Sequence, residues 1–268
     1  VKTPTAVAAV AAALALHWFL LYPHLARTDH DFDAIHMYLP LAQRLLAEGF
    51  AFFGTEASIQ MPPFSYAWPA LFGAQLDAVK MANFLLSGVT LALVYRTAWL
   101  LHSRPAGVAA AFLFAASPLL KPFLATAITE PPYLFLCAAW IWALAEWFAS
   151  RRRVFIPIAG IAFGLAILTR GTFFYWLLAL IAFFWWRREK GALVAHLIAL
   201  ALPLAFIAKN VVLFSFPFFA TGAGNALYLG SNPVTGGYDP HYVGLIFDVG
   251  AIAPSPVPLS LEAERLLN

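Results

Sequence analysis

Seven apolar stretches, at residues 7–23, 80–101, 107–121, 132–148, 154–169, 172–186 and 192–214, take up most of this chain. A helix that crosses a bilayer needs ~20 mostly apolar residues, with ~17 to 25 as the usual range. Composition points the same way. The 268 residues are 62% hydrophobic and 11% charged, with mean hydropathy +0.79. A soluble domain carries about a quarter charged residues and about half apolar ones. A water-soluble globule and a disordered chain are both excluded. The net charge of +3 and pI near 9.1 do not point to nucleic acid, because the basic residues form no stripe on a polar surface. The single cysteine, Cys137, has apolar neighbours and reads as a buried, inert thiol. The expectation is an all-α, polytopic membrane protein.

Charge sets the orientation. Cytoplasmic loops collect Lys and Arg, so Arg151–Arg153, the run from Arg187 to Lys190, and Arg104 are expected inside, together with the amino terminus. That side then holds nine basic and two acidic residues, against seven basic and eleven acidic outside. Residues 62–75 are apolar but too short to span comfortably, and counting them as a span would invert every positive loop. They read as an interfacial helix, with Tyr66 and Trp68 at headgroup level. A second interfacial helix is expected at 34–48, with Ile35, Tyr38, Leu39, Ala42, Leu45 and Leu46 on one face and Gly49 as its stop. The first outer loop then runs over 27–79 and the last outer segment over 215–268, within a single membrane domain spanning 1–268. The chain opens at Val1 and stops in a helix-like segment, so it is expected to be the amino-terminal part of a longer protein.

Charged residues at membrane depth are costly and mark function by default. Here they gather at the expected outer ends of helices. Asp29, Asp31 and Asp33 follow the first span, Glu130 precedes Pro131-Pro132, Arg170 sits between two spans, and Lys209-Asn210 closes the seventh. Each has a plainer reading. Asp33 is placed to N-cap a helix, Asp29 and Asp31 to be solvated loop charges, and Arg170 and Lys209 to reach headgroups. His36 reads as a surface residue. Asp29, His30, Asp31 and His36 match no standard metal spacing. There is no phosphate-binding glycine loop, no His-Glu-x-x-His and no Gly-x-Ser-x-Gly.

The ordered set of short motifs resembles the GT-C-fold integral-membrane glycosyltransferases, nearest to bacterial relatives of the protein O-mannosyltransferases and the lipid A aminoarabinose transferases. The resemblance rests on an acidic first outer loop leading into Tyr38-x-x-x-Ala42-x-x-Leu45 and Gly49, then Pro62-Pro63-x-x-Tyr66 and Ser117-Pro118. It continues through Thr129-Glu130, Gly164-Leu165-Ala166-x-Leu168-Thr169-Arg170, Lys209-Asn210, and Thr221-Gly222-x-Gly224-Asn225 with Gly230-Ser231-Asn232-Pro233. It implies a module of about seven transmembrane helices with two interfacial helices in the first outer loop.

It also implies an enzyme that moves a sugar from a polyprenyl-phosphate-linked donor to a lipid, glycan or protein acceptor, with inversion, on the outer face of a bacterial inner membrane. Carried over, the general base toward the acceptor is Asp33, with Asp31 in reserve, and Tyr38, Glu130, Arg170, Lys209, Asn210 and Asn225 bind substrate. Two departures stand out. The family's Asp lies four residues before the Tyr, whereas Asp33 lies five before Tyr38, and Met61 stands where several relatives have a phosphate-binding Lys. The resemblance leaves the metal requirement open: no cofactor is fixed by it, and a divalent cation is compatible with it but indicated by no residue pattern.

Two other classes compete: a transporter or flippase, which would line a midplane path with charge, and an inactive scaffold. The topology is testable first. Reporter fusions or cysteine labels at Ser150 and Ser231 should report opposite sides of the membrane, with Ser231 outside.

Overall fold

The computed structural model describes residues 3–27, 31, 33–218, 220 and 221. Among them every regular element is helical. Helix α1 (Thr3–Leu21) leads into the first loop, which holds a π-helical turn (Ala34–Tyr38) running straight into α2 (Leu39–Glu48). Two 3-10 turns (Gly49–Gly54 and Glu56–Ile59) connect it to the short α3 (Pro63–Ala70). Then come α4 (Leu76–Leu101), α5 (Arg104–Ala116), the one-turn α6 (Lys121–Leu124), α7 (Glu130–Ser150), α8 (Phe155–Thr169), α9 (Phe174–Trp186) and α10 (Lys190–Phe214). Helices α1, α4, α7 and α10 are long and apolar enough to cross a membrane, and α5, α8 and α9 are shorter apolar helices beside them. All seven apolar runs are therefore helical, and the chain is an all-α polytopic membrane protein.

Boundaries differ from expectation where local chemistry intervenes. The third run, expected to reach residue 121, stops at Ala116, and Ser117 turns extended (ψ 113°). The reason is Pro118, whose ring disfavours helical geometry in the residue before it. The interfacial helix expected at 62–75 covers only Pro63–Ala70. It is ended by Gly73 (φ 67°) and Ala74 (φ 53°), both left-handed. At the head of α7, Pro131 and Pro132 sit in the first turn, where no amide partner is lost.

Helix α8 is the core of the bundle, lying against α7 on one side and α10 on the other. Lipid tails give no hydrophobic drive for helix association, so close backbone approach by small residues supplies the contact. Gly160 and Gly164 face Ala195 and Ala199 of α10, and a Cβ on either glycine would lie 2.6 Å from Ala195 O or 2.9 Å from Ala199 O. Against α7 the packing is aromatic: Trp140 and Phe163 stack with centroids 4.0 Å apart and planes within 8°. The bundle has two polar ends. One carries Arg96 paired with Glu146 at 2.6 Å and Arg151 paired with Glu189 at 3.3 Å. The other carries the first loop together with Lys80, Glu130, Arg170 and Lys209.

Because the backbones of α8 and α10 leave no room for a side chain, Gly164→Val should destabilise the bundle by about 1–3 kcal/mol, the usual cost of overpacking. The check is a lowered thermal midpoint of the purified protein in detergent.

Candidate functional site

The loop after α1 is fastened by one carboxylate. Asp31 is fully buried; its Oδ2 meets Lys80 Nζ at 2.9 Å and its Oδ1 accepts from Ala127 N at 2.7 Å. Lys80, 3% exposed, also donates to the Arg27 carbonyl. The reading of Asp31 as a solvated loop charge is thus corrected. It lies inside because Lys80 and a backbone amide replace its water. Asp29 lies outside the described residues.

Two residues along, Asp33 stands exposed at the head of the π turn. Its side chain makes no capping hydrogen bond, and its backbone is already helical (φ −62°, ψ −36°). The N-cap reading therefore fails. The amide of Ile35 is satisfied instead by the Asp31 carbonyl at 2.9 Å.

Tyr38, at the end of the same turn, is partly buried. Burial pushes its phenol above the usual value, the Asp33 and Glu130 carboxylates add to this, and a Thr129 hydrogen bond and the Arg170 charge oppose it. Glu130 Oε1 accepts from Arg170 Nη1 at 2.5 Å, with both side chains partly exposed (37% and 44%). Burial works against the Arg170 charge, but the adjoining Glu130 carboxylate outweighs it and holds the guanidinium above its ordinary pKa. Tyr133, one turn into α7, hydrogen-bonds with Thr172 of the α8–α9 link and senses the Arg170 charge. The structure thus brings Tyr38, Glu130 and Arg170 together, with Asp33 on the same patch and Thr129, Tyr133 and Thr172 completing it.

Lys209 and Asn210 occupy a neighbouring position at the end of α10. Lys209 Nζ donates to Ser58 Oγ at 3.0 Å and to the Phe53 carbonyl at 3.3 Å, and lies 4.2 Å from the Phe206 ring centroid. It has no carboxylate partner among the described residues. Asn210 is fully buried; its amide donates to Phe218 O at 2.6 Å, while its Oδ1 has no partner among the described residues. No contact among the described residues joins Lys209 to Arg170. Gly171 and Thr172, which follow Arg170, and Ile207, two residues before Lys209, line a cavity of about 550 Å³ together with Tyr175, Phe218 and Pro62 among others. Neither cation's side chain is part of its lining. Asn225 lies outside the described residues. Among the described residues, no three His, Cys, Asp or Glu side chains converge as a metal site would require.

Sequence reasoning missed Lys80, taken only as the start of a span, although a lone Lys inside an apolar helix was the available signal. Thr129, Tyr133 and Thr172 carried no signal, because hydroxyl side chains are common at helix ends. Cys137 is only partly buried, a milder version of the expected buried thiol.

Residues 64–213 match the family model described as dolichyl-phosphate-mannose-protein mannosyltransferase, more than half of the 268-residue chain. The chain belongs to this family, of GT-C type. The match contains Lys80, Glu130, Arg170, Lys209 and Asn210 and begins after the acidic loop. No curated protein and no solved structure matches the chain.

The two aspartates should separate on substitution. Breaking a buried ion pair costs about 3–5 kcal/mol, so Asp31→Asn and Lys80→Met should each lower the thermal midpoint sharply. Exposed Asp33→Asn should stay within about 0.5 kcal/mol of the parent in the same assay.

Proposed function

We propose that this chain is the membrane module of a glycosyltransferase that takes a sugar from a polyprenyl-phosphate donor and passes it to an acceptor on the outer face of the membrane. Family membership supports the glycosyltransferase class. The observation that carries the finer reading is the exposed, uncapped Asp33 carboxylate beside Tyr38, Glu130 and Arg170.

The reaction assigns a task to each group. Asp33 accepts the proton of the acceptor hydroxyl as its oxygen attacks the anomeric carbon from the face opposite the phosphate. The bond from anomeric carbon to phosphate oxygen breaks, its electron pair leaves with the polyprenyl phosphate, and the sugar is inverted. A base in this position typically contributes 10²–10⁴-fold. Asp31 is less suited to the role, since its two oxygens are already engaged by Lys80 and Ala127 N.

The π turn bears on the spacing departure. A π helix closes i to i+5, as the bond from Leu39 N to Ala34 O does here, and such turns arise where one residue is added to a helix. An Asp five residues before the Tyr then shares a face with it, as an Asp four before would on an ordinary α-helix. The Asp33 charge acting on Tyr38 supports this reading.

The leaving phosphate needs cations. Arg170 spends one Nη on Glu130 and is 44% exposed, which leaves donors of its planar fork for a phosphate oxygen. Lys209, held among the described residues by neutral acceptors and rings, supplies the second cation. The mostly apolar cavity lined by Gly171, Thr172 and Ile207 suits the first isoprene units of the carrier. Glu130 orients Arg170, and Asn210, whose amide nitrogen donates to Phe218 O, fixes the segment after α10 against the site.

The test is turnover of a polyprenyl-phosphate-linked mannose by membranes that express the full-length protein. Asp33→Asn should lower the rate about 10²–10⁴-fold with expression unchanged. Arg170→Ala and Lys209→Ala should each weaken donor binding or turnover. Full activity of Asp33→Asn would contradict the assignment.

A further inference from the structure

At the opposite, arginine-rich end of the bundle, α1, α4 and α5 leave a crevice of about 350 Å³. Its walls are Val7, Val10 and Ala11 of α1 and Tyr95 and Trp99 of α4, with Arg104 of α5 at its edge. None of these residues takes part in the proposed chemistry. The α1 wall is small and apolar over a full turn, and Val7 is 64% exposed, so this surface would meet acyl chains in a bilayer.

The polar edge is built around Trp99. The Arg104 and Arg96 guanidinium carbons lie 4.7 and 4.5 Å from its ring centroid. Arg96 is committed to Glu146 at 2.6 Å. Arg104 opens α5, whose first turn is capped by Ser103 Oγ accepting from Ala106 N at 3.3 Å. The positive end of a helix dipole therefore lies beside the Arg104 charge. Gly107 keeps this geometry close, since a Cβ there would lie 2.7 Å from Tyr95 O. An aromatic pair at the interface, a guanidinium at a helix amino terminus and an apolar trough leading away from both are complementary to one kind of molecule.

We propose that this crevice binds an anionic glycerophospholipid, its phosphate against Arg104 and the head of α5, and one acyl chain along Val7, Val10 and Ala11. Basic pockets between spanning helices recognise lipid phosphates in this way. A zwitterionic lipid brings a cationic group to an already positive end, and a free phosphate makes no use of the apolar trough. The site is separate from the outer-end chemistry, so it stands or falls independently of the proposed reaction.

The experiment uses the full-length protein purified in neutral detergent, with the thermal midpoint and native mass spectrometry as readouts. Phosphatidylglycerol, phosphatidylcholine of the same chains, and inorganic phosphate are added in turn. Phosphatidylglycerol should raise the midpoint and stay bound as a one-lipid adduct, whereas the other two should do neither. Arg104→Gln and Val10→Trp should each remove both effects, and their midpoints without lipid report that they fold. Arg104→Lys should keep part of the shift. Equal shifts with both lipids, a shift with inorganic phosphate alone, or an unchanged phosphatidylglycerol shift in a folded Arg104→Gln or Val10→Trp protein would overturn the proposal.

Discussion

The buried contact between Asp31 and Lys80 holds together the end of this molecule that carries the first loop. A carboxylate and an ammonium taken out of water survive only when each satisfies the other and the remaining donors and acceptors are met. Here one Asp31 oxygen takes Lys80 of α4 and the other takes the Ala127 amide, just ahead of α7. The Asp31 carbonyl receives the Ile35 amide, and Lys80 also holds the Arg27 carbonyl. One residue pair thus ties the end of the α1 connection, the π turn, α4 and the approach to α7. Everything proposed for the site is displayed from that knot. Asp33 is two residues beyond it in one direction, and Thr129-Glu130 two to three beyond Ala127 in the other.

A second constraint explains why chemistry collects there. Inside a bilayer every backbone polar group must be met within its own helix, so irregular backbone and charge are pushed to helix ends. The two ends of this bundle are used differently. At one, arginines lie on Trp99 and Trp147 or pair with Glu146 and Glu189. At the other, acid and base come from separate elements and meet across gaps between them, as Glu130 of α7 meets Arg170 after α8. The second pattern leaves partly exposed charges of both signs side by side, the arrangement that the proposed departure of a lipid phosphate calls for.

The sequence was informative where physics acts over many residues. Seven apolar runs became seven helices, and Gly49 ended α2 with φ 59° as expected. Local steric events were harder to read: Pro118 cut the third run short, and left-handed Gly73 and Ala74 shortened α3. Within the site, the outlying charges Glu130, Arg170 and Lys209 were visible because charge is rare in such a chain. Their partners were not. That Glu130 would take Arg170, or Lys209 would take Ser58 Oγ, depends on helix rotation and loop path, which no one-dimensional pattern carries. Asp31 and Asp33 looked interchangeable for the same reason; only the packing of Lys80 and Ala127 makes one a structural tie and leaves the other exposed.

The claim at the centre of this account is that the loop-bearing end of the bundle receives the phosphate of a lipid-linked donor, with its first isoprenes in the cavity lined by Gly171, Thr172 and Ile207. Photo-crosslinking with a polyprenyl phosphate carrying a diazirine near its phosphate, followed by peptide mapping, tests it most directly. The account predicts labels on the α8–α9 link around Gly171–Phe173 and on the carboxyl-terminal part of α10 near Ile207. Labels concentrated at the arginine-rich end, around Tyr95 and Trp99, would contradict it.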